Sequence, residues 1–135
     1  MSVGQEKLGD KNPDIIKAVG IFGGGISGTG GVCGAMLGGM ACISSQCSRG
    51  ELSDEESPRL FKIGHMMDQA FTEITAEFGG KDCADIARVD WLDRESVKEF
   101  YEGPASRKKY CQQVVGETAR ALGEIIEKEL QQDEH

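Results

Sequence analysis

Residues 19–47 read VGIFGGGISGTGGVCGAMLGGMACISSQC, and this stretch decides most of what the sequence says about the fold. It holds ten of the 19 glycines in the chain, and no charged side chain occurs between Lys17 and Arg49. Three structures could accommodate such a segment. They are a membrane-spanning helix, a dinucleotide-binding turn, and a glycine-rich loop that leads into a buried helix.

The membrane helix has adequate length and a GxxxG spacing at Gly20, Gly24 and Gly28. However, the consecutive glycines at 23–25 and 30–31 disfavour a helix, and large aliphatic side chains are few. A dinucleotide-binding turn would need a preceding strand and a following β-α-β unit, and the later sequence has a helical pattern. The segment is therefore interpreted as a glycine-rich loop followed by a buried helix over about 32–48.

The rest of the chain predicts helices. Hydrophobic residues recur at three- and four-residue intervals over 57–78 and 105–132, which is typical of long amphipathic helices. Shorter helices are predicted around Pro13, after Asp82 and up to Gly103. The fold class is therefore all-α, a compact bundle of about four to five helices. Residues 1–11 are expected to be a frayed polar lead, and residues 12–135 a single helical domain.

The charge balance limits the partners. With 23 acidic and 15 basic residues the net charge is -8, which argues against nucleic acid and against an anionic membrane surface. The polar N-terminal residues lack the apolar core of a secretory signal, so a cytoplasmic location is expected. A redox partner protein and a second copy of the chain remain as possible partners.

Five cysteines is an odd number, and static disulfides are uncommon in the cytoplasm. Cys33 follows two glycines at the predicted start of the buried helix, where a helix N-terminus is expected to lower a thiol pKa. Cys83 lies at a second predicted helix start, and Cys111 lies near the start of the last long helix. These three cysteines could converge at one end of the bundle.

The run FGGGISGTGGVCGAMLGG at 22–39, with Cys33-Gly34-Ala35-x-x-Gly38 at its centre, resembles the redox-active protein family named for a CGAxxG motif and four cysteines. FGGKDC at 78–83 and Tyr110-Cys111 resemble the family's later cysteine positions. The resemblance covers about 15–126. It implies an all-helical protein with a redox role, in which iron–sulfur ligation by the cysteines is plausible.

One family position has no counterpart here, because the first family cysteine precedes the glycine loop and no cysteine precedes Cys33. Either the helix that carries it is absent, or Cys42 or Cys47 replaces it. Taken alone, Cys42 is expected to be buried, and Cys47 is expected near the surface.

Three functions follow as hypotheses. The first is a redox-active protein in which Cys33 is the reactive thiolate and Cys83 or Cys111 is its resolving partner, which leaves open whether the protein is an enzyme. The second is a metal or iron–sulfur protein without turnover, with an unknown ligand set. The third is a helical interaction module with buried cysteines. Three glycines beside Cys33 are candidates for binding a cofactor: Gly30, Gly31 and Gly34.

Overall fold

The computed structural model describes residues 1–132 and is all-α over that range, without a β-strand. This confirms the fold class predicted from the sequence. The described residues form seven α-helices, which is more than the four to five expected. They are α1 (Ser2–Leu8), α2 (Pro13–Val19), α3 (Gly34–Cys47), α4 (Arg59–Thr75), α5 (Cys83–Ile86), α6 (Arg94–Glu102) and α7 (Lys108–Ile125).

The N-terminal lead is the main difference from expectation, because it forms α1 instead of a frayed segment. Gly4 and Gln5 are buried in α1. The Gln5 side-chain amide donates to the Asn12 carbonyl, and its oxygen accepts from the Asn12 backbone N–H, both at 3.0 Å. Helix α1 contacts α3 and α7, so tertiary packing orders a segment whose polar composition predicts fraying.

Helices α3, α4 and α7 pack against one another and enclose the core. One core cluster lies where these helices meet a π-helical segment over Ile126–Leu130, and a second lies nearer the start of α3 and α7. The first contains Cys42, Ile43, Ile63, Met67, Leu122, Ile125 and Ile126, and the second contains Met36, Phe71, Phe78, Ile86 and Val114.

Side-chain caps and a glycine stabilise the ends of three of these helical segments. The Asn12 side chain accepts from two backbone N–H groups at the start of α2. After α4, a 3-10 turn over Ala76–Phe78 ends at Gly79, whose φ is 82°. Asp82 and Asp85 then form a reciprocal capping box at the start of α5.

Between α2 and α3 the chain follows a 3-10 turn over Gly20–Phe22 and a series of tight turns over 23–30. Helix α3 begins directly after Cys33 and buries Met36, Cys42 and Ile43. No helix in the described part of the chain is both long and apolar enough to cross a membrane.

Candidate functional site

Two of the predicted site cysteines flank an isolated backbone bridge, Cys33 directly before α3 and Cys83 as the first residue of α5. Val32 and Asp82 face each other in an isolated antiparallel bridge. The Cys33 N–H donates to the Lys81 carbonyl at 3.1 Å, and the Cys83 N–H donates to the Gly31 carbonyl at 2.7 Å. These two hydrogen bonds place the backbone of Cys33 and Cys83 diagonally across the bridge, and a charge on Cys83 acts on the pKa of Cys33.

The third predicted cysteine completes the cluster from α7. Cys111 packs against the core cluster that Cys33 also contacts. It packs as well against a third cluster, which contains Cys83 and Phe100. The structure therefore brings Cys33, Cys83 and Cys111 together from three separate segments, and all three thiols are free. This group is called the thiol cluster below.

The glycines around the thiol cluster allow backbone to lie directly on backbone. A Cβ on Gly25 would lie 2.4 Å from the Gly31 carbonyl oxygen and 2.7 Å from Cys83 Cβ. A Cβ on Gly34 would lie 2.9 Å from the Phe22 carbonyl oxygen. Chain packing accounts for these close approaches.

Gly30 and Gly31, two of the predicted cofactor-binding glycines, use their carbonyls within the chain. They accept from the backbone N–H groups of Ala84 at 3.1 Å and Cys83 at 2.7 Å. Together with the contact at Gly34, these bonds give all three glycines a structural role. Cofactor binding by Gly30, Gly31 and Gly34 stays a prediction.

The expectation that the pKa of Cys33 is lowered is wrong, although the helix start does act in that direction. Burial raises the pKa of Cys33, and the backbone amides of Ala35 and Met36 lower it by less. A negative charge on Cys83 raises the Cys33 pKa further. For this half-buried sulfur, the loss of hydration destabilises the thiolate by more than the backbone amides in the first turn of α3 stabilise it.

Cys111 shows the same balance more strongly. The pKa of Cys111 is raised to about 11, mainly by burial and to a smaller extent by the charges of Cys83 and Cys33, while Arg107 acts in the opposite direction. The mutual influence of the three thiols follows from their proximity. Cys33 and Cys111 are therefore mainly protonated at neutral pH.

These raised pKa values predict a loss of stability in alkali. Because the unfolded chain deprotonates Cys111 first, the stabilisation is complete below about pH 8.5 and is lost as pH rises towards about 11. Between pH 8 and 10.5, we expect wild type to lose about 1 to 2 kcal/mol more free energy of unfolding than Cys111→Ala. Urea unfolding of both proteins at the two pH values measures this, and equal losses would contradict it.

The two remaining cysteines lie outside the thiol cluster. Cys42 is fully buried in the first core cluster, and Cys47 packs at its edge at the end of α3. The upstream helix α2 is present and carries no cysteine. Cys42 and Cys47 thus belong to a different core cluster from Cys33, and replacement of the missing family cysteine by either of them stays a prediction.

Sequence reasoning missed two residues around the thiol cluster. The Trp91 indole N–H donates to Cys83 Sγ at 3.3 Å. The Arg107 guanidinium lies 4.6 Å from the centroid of the Tyr110 ring, and its Nε donates to the Ile86 carbonyl at 3.0 Å. Trp91 was detectable only as the single tryptophan of the chain, in a loop without periodicity.

The described residues contain no recognisable set of metal ligands. Within 1–132, no group of three or more His, Cys, Asp or Glu side chains is arranged to hold a metal ion, and this includes the three thiols. Metal or iron–sulfur binding therefore stays a prediction from the resemblance.

Comparison with known proteins gives one match. The family model described as "Putative redox-active protein (C_GCAxxG_C_C)" matches residues 1–125. That description writes the motif as GCAxxG, whereas this chain has the order Cys33-Gly34-Ala35 and ends the motif at Gly38. No curated protein and no solved structure matches the chain.

Proposed function

Because the chain belongs to this family of redox-active proteins, we propose that it is a dithiol–disulfide redox protein with Cys33 and Cys83 as its working pair. The observation that carries the proposal is the antiparallel bridge between Val32 and Asp82. Its two flanking hydrogen bonds hold the backbone of Cys33 and Cys83 diagonally across from each other. Diagonal neighbours lie about 7 to 8 Å apart, so closing the disulfide requires the two backbone segments to move together by about 1 to 2 Å.

The exposure of the two sulfurs supports different roles for them. Cys33 is half-buried and lies at the start of α3, whereas Cys83 is only 8% exposed. The more accessible thiol is the one that an incoming partner can reach first. Cys33 is therefore the attacking thiol, and Cys83 is the resolving thiol.

The reaction exchanges two electrons with a partner protein that carries a disulfide. The Cys33 thiolate attacks one partner sulfur, the partner S–S bond breaks, and one partner thiolate leaves. Cys83 then attacks Cys33 Sγ in the mixed disulfide and releases the second partner thiolate. The two leaving thiolates take up the two protons lost by Cys33 and Cys83, so the chain is oxidised and the partner is reduced.

The test is a redox titration of the purified protein without oxygen. Samples are equilibrated in mixtures of reduced and oxidised glutathione, quenched with acid, alkylated, and mapped by peptide mass spectrometry. We expect a reversible Cys33–Cys83 disulfide, with the other three cysteines alkylated throughout. Cys33→Ser and Cys83→Ser should abolish it, whereas Cys47→Ser is the matched control and should leave it unchanged.

Three results would contradict the proposal. They are the absence of an intramolecular disulfide, a disulfide that uses Cys111 or Cys42 in place of Cys83, and stoichiometric iron with visible charge-transfer bands in the same preparation. The last result would favour the iron–sulfur alternative instead.

A further inference from the structure

Trp91 is the single tryptophan of the chain, and its indole N–H is aimed at Cys83 Sγ. The distance of 3.3 Å is within the range of an N–H···S hydrogen bond. Cys83 is almost fully buried, so water can supply little hydration to its sulfur. The indole is therefore a fixed source of a hydrogen bond for this thiol.

The glycine turns and the aromatic side chains of α6 hold the indole in place. A Cβ on Gly24 would lie 3.2 Å from Trp91 Cδ1, and a Cβ on Gly28 would lie 3.3 Å from Trp91 Cβ. On the side of α6, the ring meets Phe100 edge-on, with centroids 5.1 Å apart. The N–H direction is set by packing before any reaction takes place.

A donor to sulfur matters most when the sulfur is charged. Hydrogen bonds to an ionised group are stronger than those to a neutral one, and an unpaired buried charge is costly. Cys33 and Cys111 interact electrostatically with Cys83 and with each other. The charged chain neighbours of Cys83 are Arg88, the two carboxylates of the capping box, and Lys81, which pairs with Asp68. Arg107 acts on Cys111, and the carboxylates bond to backbone N–H groups at the start of α5.

We propose that Trp91 is a positioning residue for the resolving step. Its indole N–H stabilises the Cys83 thiolate as it attacks the mixed disulfide on Cys33, and as it leaves when the disulfide is reduced. This inference rests on the proposed function, because it assigns a role within the same thiol pair. It separates the two chemical steps, since the first attack by Cys33 does not use this hydrogen bond.

The test compares both steps in Trp91→Phe, which keeps an aromatic ring but lacks the N–H donor. Reduced protein is mixed with oxidised glutathione, and acid-quenched samples are followed by intact mass. We expect the mixed disulfide on Cys33 to form at the wild-type rate and to resolve about 10-fold more slowly, so that it accumulates. In wild type, tryptophan emission should change together with the resolving step, and Cys83→Ser should remove that change.

Val89→Ala is the matched control, because it opens a small cavity in the buried cluster that contains Cys83 and leaves both Trp91 and Phe100 in place. Its rate of mixed-disulfide resolution should stay within about 2-fold of the wild-type rate, because the hydrogen bond from the indole to Cys83 is kept. Three results would overturn the inference: unchanged resolution in Trp91→Phe, equal slowing of both steps, or equal slowing in Val89→Ala. If wild type forms the Cys33–Cys83 disulfide in these cases, the proposed function survives without the role of Trp91.

Discussion

Replacing Gly25 by Ala should destabilise the protein by about 3 kcal/mol or more and should separate the thiol pair. Two costs combine at this position. Its φ of 69° is unfavourable for any residue with a Cβ, and the added methyl would lie 2.4 Å from the Gly31 carbonyl oxygen. That carbonyl accepts from the Cys83 N–H, so the clash acts directly on the backbone contact that holds Cys83 beside Cys33.

Gly9→Ala is the control for the conformational cost alone. Gly9 has a φ of 70°, close to that of Gly25, but a Cβ there meets nothing within 4 Å. This control should cost about 1 kcal/mol. Urea unfolding gives both free energies, and disulfide formation in glutathione buffer should be impaired only in Gly25→Ala. Equal stability of the two variants would show that the tight contact at Gly25 adds nothing to the loss in free energy of unfolding.

The convergence of Cys33, Cys83 and Cys111 could be predicted because each cysteine lies near a predicted helix start. Helix starts can be located from glycines and capping residues, such as those that precede Cys83. The pairing of Val32 with Asp82 could not be predicted, because a single bridge leaves no periodic pattern in the sequence. The contact between Trp91 and Cys83 joins a loop to a helix start, and it is also invisible to periodicity.

The pKa of Cys33 was predicted in the wrong direction for a reason that applies generally to sequence reasoning. Position at a helix start is readable from the sequence and favours the thiolate. Burial depends on what packs over the sulfur, which is known only from the fold. Here the loss of hydration outweighs the first-turn amides of Ala35 and Met36.

Helix α1 escaped prediction because its buried side chains are not apolar. Gly4 and Gln5 face the protein, whereas Val3 is 55% exposed, so the hydrophobic pattern of this segment is inverted. Gly4 can be buried against α3 because a residue with a side chain would not fit there. Cys42 Sγ would lie 2.4 Å from a Cβ at this position. The small size of Gly4 therefore allows α1 to approach α3.

Gly4→Ala should consequently destabilise the protein by about 2 kcal/mol, through overpacking against Cys42 and Leu122. Gly116→Ala is the matched control, since Gly116 is an exposed glycine in α7 and a Cβ there meets nothing within 4 Å. The same substitution should stabilise that helix by about 0.5 to 1 kcal/mol. The two variants thus differ in sign, which urea unfolding at neutral pH resolves.

A double mutant identifies the sulfur as the cause. Cys42→Ala removes Sγ, which is the atom nearest to the added methyl, and leaves space for it between α1 and α3. Cys42→Ala alone should cost about 1 to 2 kcal/mol because it opens a small cavity in the core. Combined with Gly4→Ala, the loss should be smaller than the sum of the single losses by about 1 kcal/mol or more. Additive losses would mean that α1 moves away from α3 freely. In that case, the burial of Gly4 would contribute little to the stability of the fold.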